Sequence, residues 1–349
     1  MELVFSGSAQ EYFRIWIVNL CLTLVTFGVF SAWAKVRKKR YFYSHLSLDG
    51  TAFQYLGLPV PILKGRVIAV IIFLLYYLSS NVFVTLLPFV MAAGLALAPW
   101  IIVQSSAFRA RYSAYRNMTF RFNGTYGRSF RAVAAWGIVP AIVVGMIFDW
   151  GGELWAAGVL FALFGFLFPW WFRNIKHFIV TNTSFGGQRG QFGATGGQFY
   201  GIYFTSGFIL IGFSLISVVI AMTGVAFAVP FGVYLTMVPG YAGYVVAYAY
   251  IQANMTNTVW NRMRIGPVSF HCTLKAGDMA KLYLSNAVGI ILSAGMLIPW
   301  AVIRTFRYRA EHTRVFRDSD LSEFRGSPGE TVRAAGAELS EIFDMELAI

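Results

Sequence analysis

Seventy-two consecutive residues, from Gly190 to Asn261, carry no charge, and a second uncharged run of 42 residues covers Val67 to Phe108. Shorter uncharged runs cover Ala132 to Phe148 and Leu154 to Phe172. A helix that crosses a bilayer needs about 20 apolar residues. Each long run therefore predicts two spans and each short run one. Only 12% of the chain is charged, against roughly 25% in an ordinary globular protein. A water-soluble core has no use for uncharged stretches of this length.

The charges that do occur are unevenly placed. Residues 318–349 hold eight acids against Arg325 and Arg333, a balance of −6, so with a net charge of +13 the remaining residues carry +19. Arginine and lysine cluster between the apolar runs: Arg109, Arg111, Arg116, Arg121, Arg128 and Arg131, then Arg173, Lys176 and Arg189, then Arg262, Arg264, Lys275 and Lys281. The opposite connections carry almost none. This asymmetry is the positive-inside pattern of a membrane protein with a basic cytoplasmic face, not a nucleic-acid footprint. It predicts six spans near 65–86, 88–112, 130–149, 153–177, 198–222 and 228–254. No cleavable signal peptide is expected, because the first positive cluster, Lys35 to Arg40, follows the first apolar run.

A repeat underlies the spans. Pro99, Pro169, Pro239 and Pro299 recur at intervals of 70, 70 and 60 residues, and Trp follows three of them. Ala32-Trp33 is a copy without proline. The first and last copies align at an offset of 267: Asn19 with Asn286, Gly28 with Gly295, Trp33 with Trp300, Arg37 with Arg304, Arg40 with Arg307 and His45 with His312. Each copy is expected to end at His45, Asn117, Asn182, Asn257 or His312, alternately 13 and 18 residues after the proline position. An internal period means one structural unit used several times. The predicted units are about 5–55, 53–122, 120–192, 192–270 and 270–317, forming a membrane domain over 1–317 and an acidic cytoplasmic tail over 318–349.

If the terminal copies were plain spans, Arg304, Arg307, Arg309, Arg314 and Arg317 would lie outside, against the charge rule. The economical reading makes both of them re-entrant hairpins bent at Gly28 and Gly295. The competing reading is eight plain helices with one violation. Between the spans, Asp49-Gly50, Asn123-Gly124, Gly186-Gly187 and Gly266-Pro267 predict tight turns of four small cytoplasmic β-hairpins, which need residues tolerant of positive φ. The fold class is thus a polytopic α-helical membrane protein of pseudo-repeated helical hairpins with short cytoplasmic β-hairpins.

Phe5-Ser-Gly7, the Leu24–Phe30 stretch leading to Ala32-Trp33-Ala34-Lys35, Asn182-Thr-Ser-Phe-Gly186 and the acidic Glu338–Asp344 segment together resemble the YjgN family of bacterial inner-membrane proteins. The likeness covers nearly the whole chain and implies a multi-pass protein of the bacterial inner membrane. It carries over no activity and no catalytic residue.

No nucleophile–base pair, metal-ligand spacing or nucleotide motif is found, so neither enzymatic activity nor a cofactor is expected. The uncharged central runs contain no Asp, Glu, Lys, Arg or His, which counts against proton or ion coupling through carboxylates. Asn19, Asn286 and Gln104 are candidates to line a pathway, set against the plainer role of interhelical hydrogen bonding, worth about 0.6 kcal/mol each. Arg37, Arg40, Arg173, Lys176, Arg304 and Arg307 are candidates for an anionic or lipid headgroup, because i, i+3 spacing puts each set on one helix face. The expected partners are membrane lipids with anionic headgroups on the cytoplasmic side. The acidic tail is read as a cover docking on the basic face or as a solvated segment. Two functions follow: a passive or gated pathway for a small solute or lipid, or a non-transport scaffold that binds anionic lipid or a cytoplasmic partner.

Overall fold

The computed structural model describes residues 1–134, 154–226 and 232–317. Most of the expected 130–149 span and the whole acidic tail lie outside the described residues. Within them the protein is mostly helical, and three helices are long and apolar enough to cross a membrane: Pro59–Asn81, Leu87–Tyr112 and Gly196–Thr223.

The helices fall into five segments. The first contains Ala9–Val25 and Ser31–Ser44, and the second Pro59–Asn81 and Leu87–Tyr112. The third starts with Tyr126–Ser129, continues as a π-helical turn over Phe130–Ala134, and returns as Leu154–Asn182. The fourth pairs Gly196–Ala226 with Gly232–Asn261, and the fifth Ala276–Leu292 with Ile298–Glu311. Local chemistry sets the ends. Ser8 caps the first helix by accepting the Glu11 N–H at 3.2 Å, and prolines occupy first-turn positions at Pro59 and Pro299, where the missing N–H costs nothing.

The first and fifth segments turn back on themselves at matched positions. Their helices begin and end 267 residues apart throughout. Phe27 and Gly28 have φ of 48° and 89°, Ala294 and Gly295 47° and 90°. Gly28 N–H donates to Thr23 O at 2.8 Å and Gly295 N–H to Ile290 O at 2.8 Å. Two successive left-handed residues reverse the chain, and glycine takes the second because it has no Cβ to clash. Helices of 17 and 14 residues reach only about 26 and 21 Å at 1.5 Å per residue.

Short strands join the segments: β1 Leu3–Phe5, β2 Leu46–Leu48, β3 Thr51–Ala52, β4 Gln54–Tyr55, β5 Ser113–Tyr115, β6 Met118–Phe122, β7 Thr183–Phe185, β8 Gln188–Phe192, β9 Met263–Ile265, β10 Val268–Cys272 and β11 Thr313–Arg317. β1, β2 and β3 form one sheet and β4 to β11 another. The two sheets meet at both ends. β3 and β4 are consecutive in the chain, separated by Phe53, and Glu2 bridges Arg314 beside β1 and β11. Met1 and Val315 exchange backbone bonds of 2.8 and 2.9 Å. Among the described residues the result is a closed antiparallel ring, an arrangement that covers strand edges. Tyr115, Phe185 and Ile265 form an apolar cluster among its strands with Leu48, Phe53, Met118, Phe120, Val268 and Phe270. In this cluster Phe53 meets Tyr115 at 4.9 Å and Phe120 meets Phe185 at 4.6 Å, centroid to centroid.

One contact recurs in all five segments. The residue after the incoming strand donates its N–H to the carbonyl at the end of the returning helix. The pairs are Ser6 to His45, Leu56 to Tyr112, Asn123 to Asn182, Gly193 to Arg262 and Thr273 to His312, all between 2.8 and 3.0 Å. Strand pairing locks each closure, as in Phe5 with Leu46, Tyr55 with Ser113, Phe122 with Thr183, Phe192 with Met263 and Cys272 with Thr313.

These contacts correct two sequence expectations. The helix ends equivalent to His45, Asn182 and His312 are Tyr112 and Arg262, not Asn117 and Asn257. Asn117 instead sits in the β5–β6 turn with φ 60°, and Asn257 remains within its helix. Counted from Arg262, the position matching Ala32, Pro99, Pro169 and Pro299 is the buried Ala249, so Pro239 lies elsewhere on its helix, half-buried. The second hairpin turns at Arg116-Asn117 rather than Asn123-Gly124. Arg116 accepts the strained φ of 49° while its guanidinium binds Asp49 of the preceding turn at 3.2 Å and covers the Tyr115 ring.

Candidate functional site

Several basic side chains lie where the helices meet the strand ring and bond to the backbone there. Arg307 donates to Gly7 O at 2.9 Å, Arg40 to Gly57 O at 3.4 Å and Arg173 to Ala194 O at 3.1 Å. Asn257 donates to Leu274 O at 2.8 Å. The four acceptors occupy one position, two residues after the strand residue that closes each segment. In every case the donor comes from the segment before the acceptor's, and from the fifth to the first across the ring closure. A charged donor to a backbone carbonyl is worth about 1.5–3 kcal/mol. These side chains therefore join neighbouring segments. Any headgroup they meet would share a guanidinium already held at one edge.

Asn19 and Asn286 are buried, each inside its own hairpin. Arg37 donates to Asn19 Oδ1 at 3.5 Å and Arg304 to Asn286 Oδ1 at 3.2 Å. Asn286 also donates to Thr305 Oγ1 at 3.1 Å and Ala301 O at 3.4 Å. The same Arg–Asn bracket thus ties the two helices of each terminal hairpin. The two brackets belong to different hairpins, and Gln104 lies half-buried on the Leu87–Tyr112 helix. No bond among the described residues joins Gln104 to either asparagine. Lys176 is buried, with its Nζ 5.1 Å from the Phe172 ring centre.

The sequence reading missed a second recurring signal, an aromatic residue two before a glycine. In Phe5-x-Gly7, Tyr55-x-Gly57 and Phe122-x-Gly124 the ring folds onto the glycine, where any β-carbon would collide with it. The clasp turns each strand into its segment and presents the glycine carbonyl that Arg307 or Arg40 grips. Spacing alone could have found it, because all three pairs directly follow strand-like runs.

A cavity of about 480 Å³ opens between the first and fifth hairpins. Ser8 and Ala9 line one side. Asp278, Lys281 and Leu282 from one helix and Trp300, Ile303, Arg304, Arg307, Tyr308 and Glu311 from the next line the other. Among the described residues no cluster of three or more metal-ligating side chains occurs. Cys272 is buried, and that burial pushes its thiol pKa up.

The chain matches the family described as "Bacterial protein of unknown function (DUF898)" over residues 1–342. A protein named inner membrane protein YjgN from Escherichia coli O157:H7 is 26% identical over 208 residues, 54% of this chain and 51% of that protein. Proteins of the same name are 39% identical over 54 residues in Escherichia coli K12 and 42% over 53 residues in Salmonella typhimurium. Those two stretches cover 16% and 15% of this chain, and 14% and 13% of the relatives. The chain thus spans about half the length of the first relative, 51%. No solved structure matches the chain.

Proposed function

The chain belongs to the DUF898 family of bacterial proteins of unknown function, and from that premise we propose that it is a non-transport scaffold of the inner membrane that holds phosphate-bearing lipid headgroups along its basic face. In this reading five pseudo-repeated segments hang from one cytoplasmic strand ring. The middle segments cross the bilayer, and the first and fifth dip into it and return. All basic junctions attach to a single ring, which supports placing them in one compartment. The apolar hairpin tips support immersion: Phe27 is 98% exposed and Leu292 83%, a costly arrangement in water and a natural one in lipid.

The observation that carries the scaffold reading over a pathway is how the candidate polar groups are held. Asn19 and Asn286 are bonded within separate hairpins, and an aromatic cluster packs among the ring's strands. Reconstituted into vesicles loaded with glycerol or carboxyfluorescein, the protein is expected to leave efflux at the rate of protein-free vesicles while retaining bound phospholipid after purification. Efflux that rises with protein content and saturates with solute would restore the pathway. Sidedness has its own check. A cysteine at Asp49, in a chain lacking Cys21 and Cys272, is expected to react with a membrane-impermeant maleimide only after permeabilisation. Labelling of intact cells would put the ring outside.

A further inference from the structure

The cavity between the first and fifth hairpins is ordered along the helix axes. Helix Ala276–Leu292 runs away from the ring and helix Ile298–Glu311 returns to it. Asp278, Lys281 and Leu282 share one face of the first at i, i+3, i+4, and Trp300, Arg304, Arg307 and Glu311 share one face of the second. From the ring outward the lining therefore changes from carboxylates (Asp278, Glu311) to cations (Lys281, Arg307, Arg304), with Leu282 beside Lys281, and then to Trp300. Among the described residues Asp278, Lys281 and Glu311 form no ion pair. Arg304 is oriented by Ser285 and Asn286, with its guanidinium 5.1 Å from the Trp300 ring centre.

We propose that this cavity binds the phosphoethanolamine headgroup of a membrane phospholipid, a reading that rests on the lipid-holding scaffold above. The ammonium lies between Asp278 and Glu311. The phosphate lies one helical turn deeper against Lys281, Arg304 and Arg307. The acyl chains leave past Trp300 along the exposed apolar surface of Val288 and Ile291. A purely anionic lipid would satisfy the cations and leave two carboxylates facing it. A zwitterion answers both signs, and in the order in which the helices present them. The first hairpin carries related residues at the same offset, Glu11, Arg14, Trp33, Arg37 and Arg40. There the acid is already engaged, with Glu11 accepting from the Tyr41 hydroxyl at 3.2 Å, so the fifth hairpin holds the open copy.

The test uses the full chain in detergent micelles, delipidated and titrated with dioleoyl phosphatidylethanolamine, dioleoyl phosphatidylglycerol or free phosphoethanolamine, with binding read by native mass spectrometry. The wild type is expected to favour the ethanolamine lipid over the glycerol lipid by about fivefold to tenfold, the worth of two partly exposed charge pairs. D278N/E311Q is expected to bind both lipids equally, and K281A to weaken both. Equal binding of the two lipids by the wild type, or an unchanged preference in D278N/E311Q, overturns the ethanolamine assignment and leaves the scaffold reading standing. Free phosphoethanolamine binding as tightly as the lipid overturns the lipid source. Failure to hold either phospholipid sinks the scaffold reading along with it. D278N/E311Q changes exposed or half-buried groups, so a monodisperse elution profile shows that it is folded.

Discussion

Replacing Gly190 with alanine is expected to destabilise the protein by about 3 kcal/mol or more, at the upper end of overpacking costs. Gly190 sits in β8 opposite Ile265, and its missing β-carbon is where the returning helix of the third segment ends. An added methyl would fall inside contact distance of the Val180 carbonyl oxygen and close to that of Thr183. Both obstacles are backbone, so no rotamer change relieves them. The strand must leave the helix or the helix end must unwind, and either breaks the ring between its third and fourth segments. Gly197→Ala is the matched control. It lies in the Gly196–Ala226 helix with nothing within 4 Å of the added carbon, and should be neutral or stabilising by about 0.5–1 kcal/mol. Thermal unfolding followed by loss of the monodisperse peak compares the two. Equal midpoints for G190A and wild type would mean the strand does not pack on that helix end.

Joining Glu2 and Arg314 covalently is expected to give the largest gain. The two residues face each other across the closure of the ring, and their side chains already approach at 3.4 Å in an exposed ion pair, which by itself contributes little. E2C/R314C, made with Cys21 and Cys272 replaced by alanine, should oxidise readily and shift as a closed species on a non-reducing gel. The chain-entropy estimate for so long a loop is about 6 kcal/mol, reduced by any strain in the bond. Deleting residues 1–5 should do the reverse. It strips β1 from β2 and bares one side of β11, inviting edge-to-edge association. If the disulfide fails to form under mild oxidation, the two ends of the chain do not meet as described.

Closure also explains a feature of the pairing. In the first to fourth segments, a covalent turn holds the outgoing strand beside the next incoming one, as in Ser47 with Ala52, Ala114 with Thr119 and Arg264 with Ser269. Arg314 opposite Glu2 is the same register without a turn, so the two ends of the described chain stand in for a fifth hairpin. Circular closure of this kind gives the first and last segments the same neighbours as the middle ones.

Much of this was legible in the residues. Uncharged runs marked the long helices, because charge is costly in a bilayer and its absence is visible without any structure. The offset of 267 between Asn19 and Asn286, taken with the charge rule, led to bends at Gly28 and Gly295, and left-handed residues occur at both positions. The second turn misled because Asn123-Gly124 has the better local chemistry, while Arg116 is held by Asp49 and Tyr115, partners distant or adjacent in ways a local reading does not weigh. The regular spacing of Pro239 misled for a related reason: a residue type can recur without occupying the equivalent position.

Hydrophobic lengths, turn residues and charge asymmetry are local properties, and with them the sequence alone determined a membrane protein of helical hairpins joined by short strands on a basic side. Only the tertiary structure decided that the strands join into one ring, that Arg40, Arg173 and Arg307 fasten their own segments to the next, and that acid, base and apolar surface line one cavity. Those outcomes depend on which distant carbonyl each donor reaches and on how strand ends meet across more than 300 residues, and no periodicity within a segment encodes that geometry.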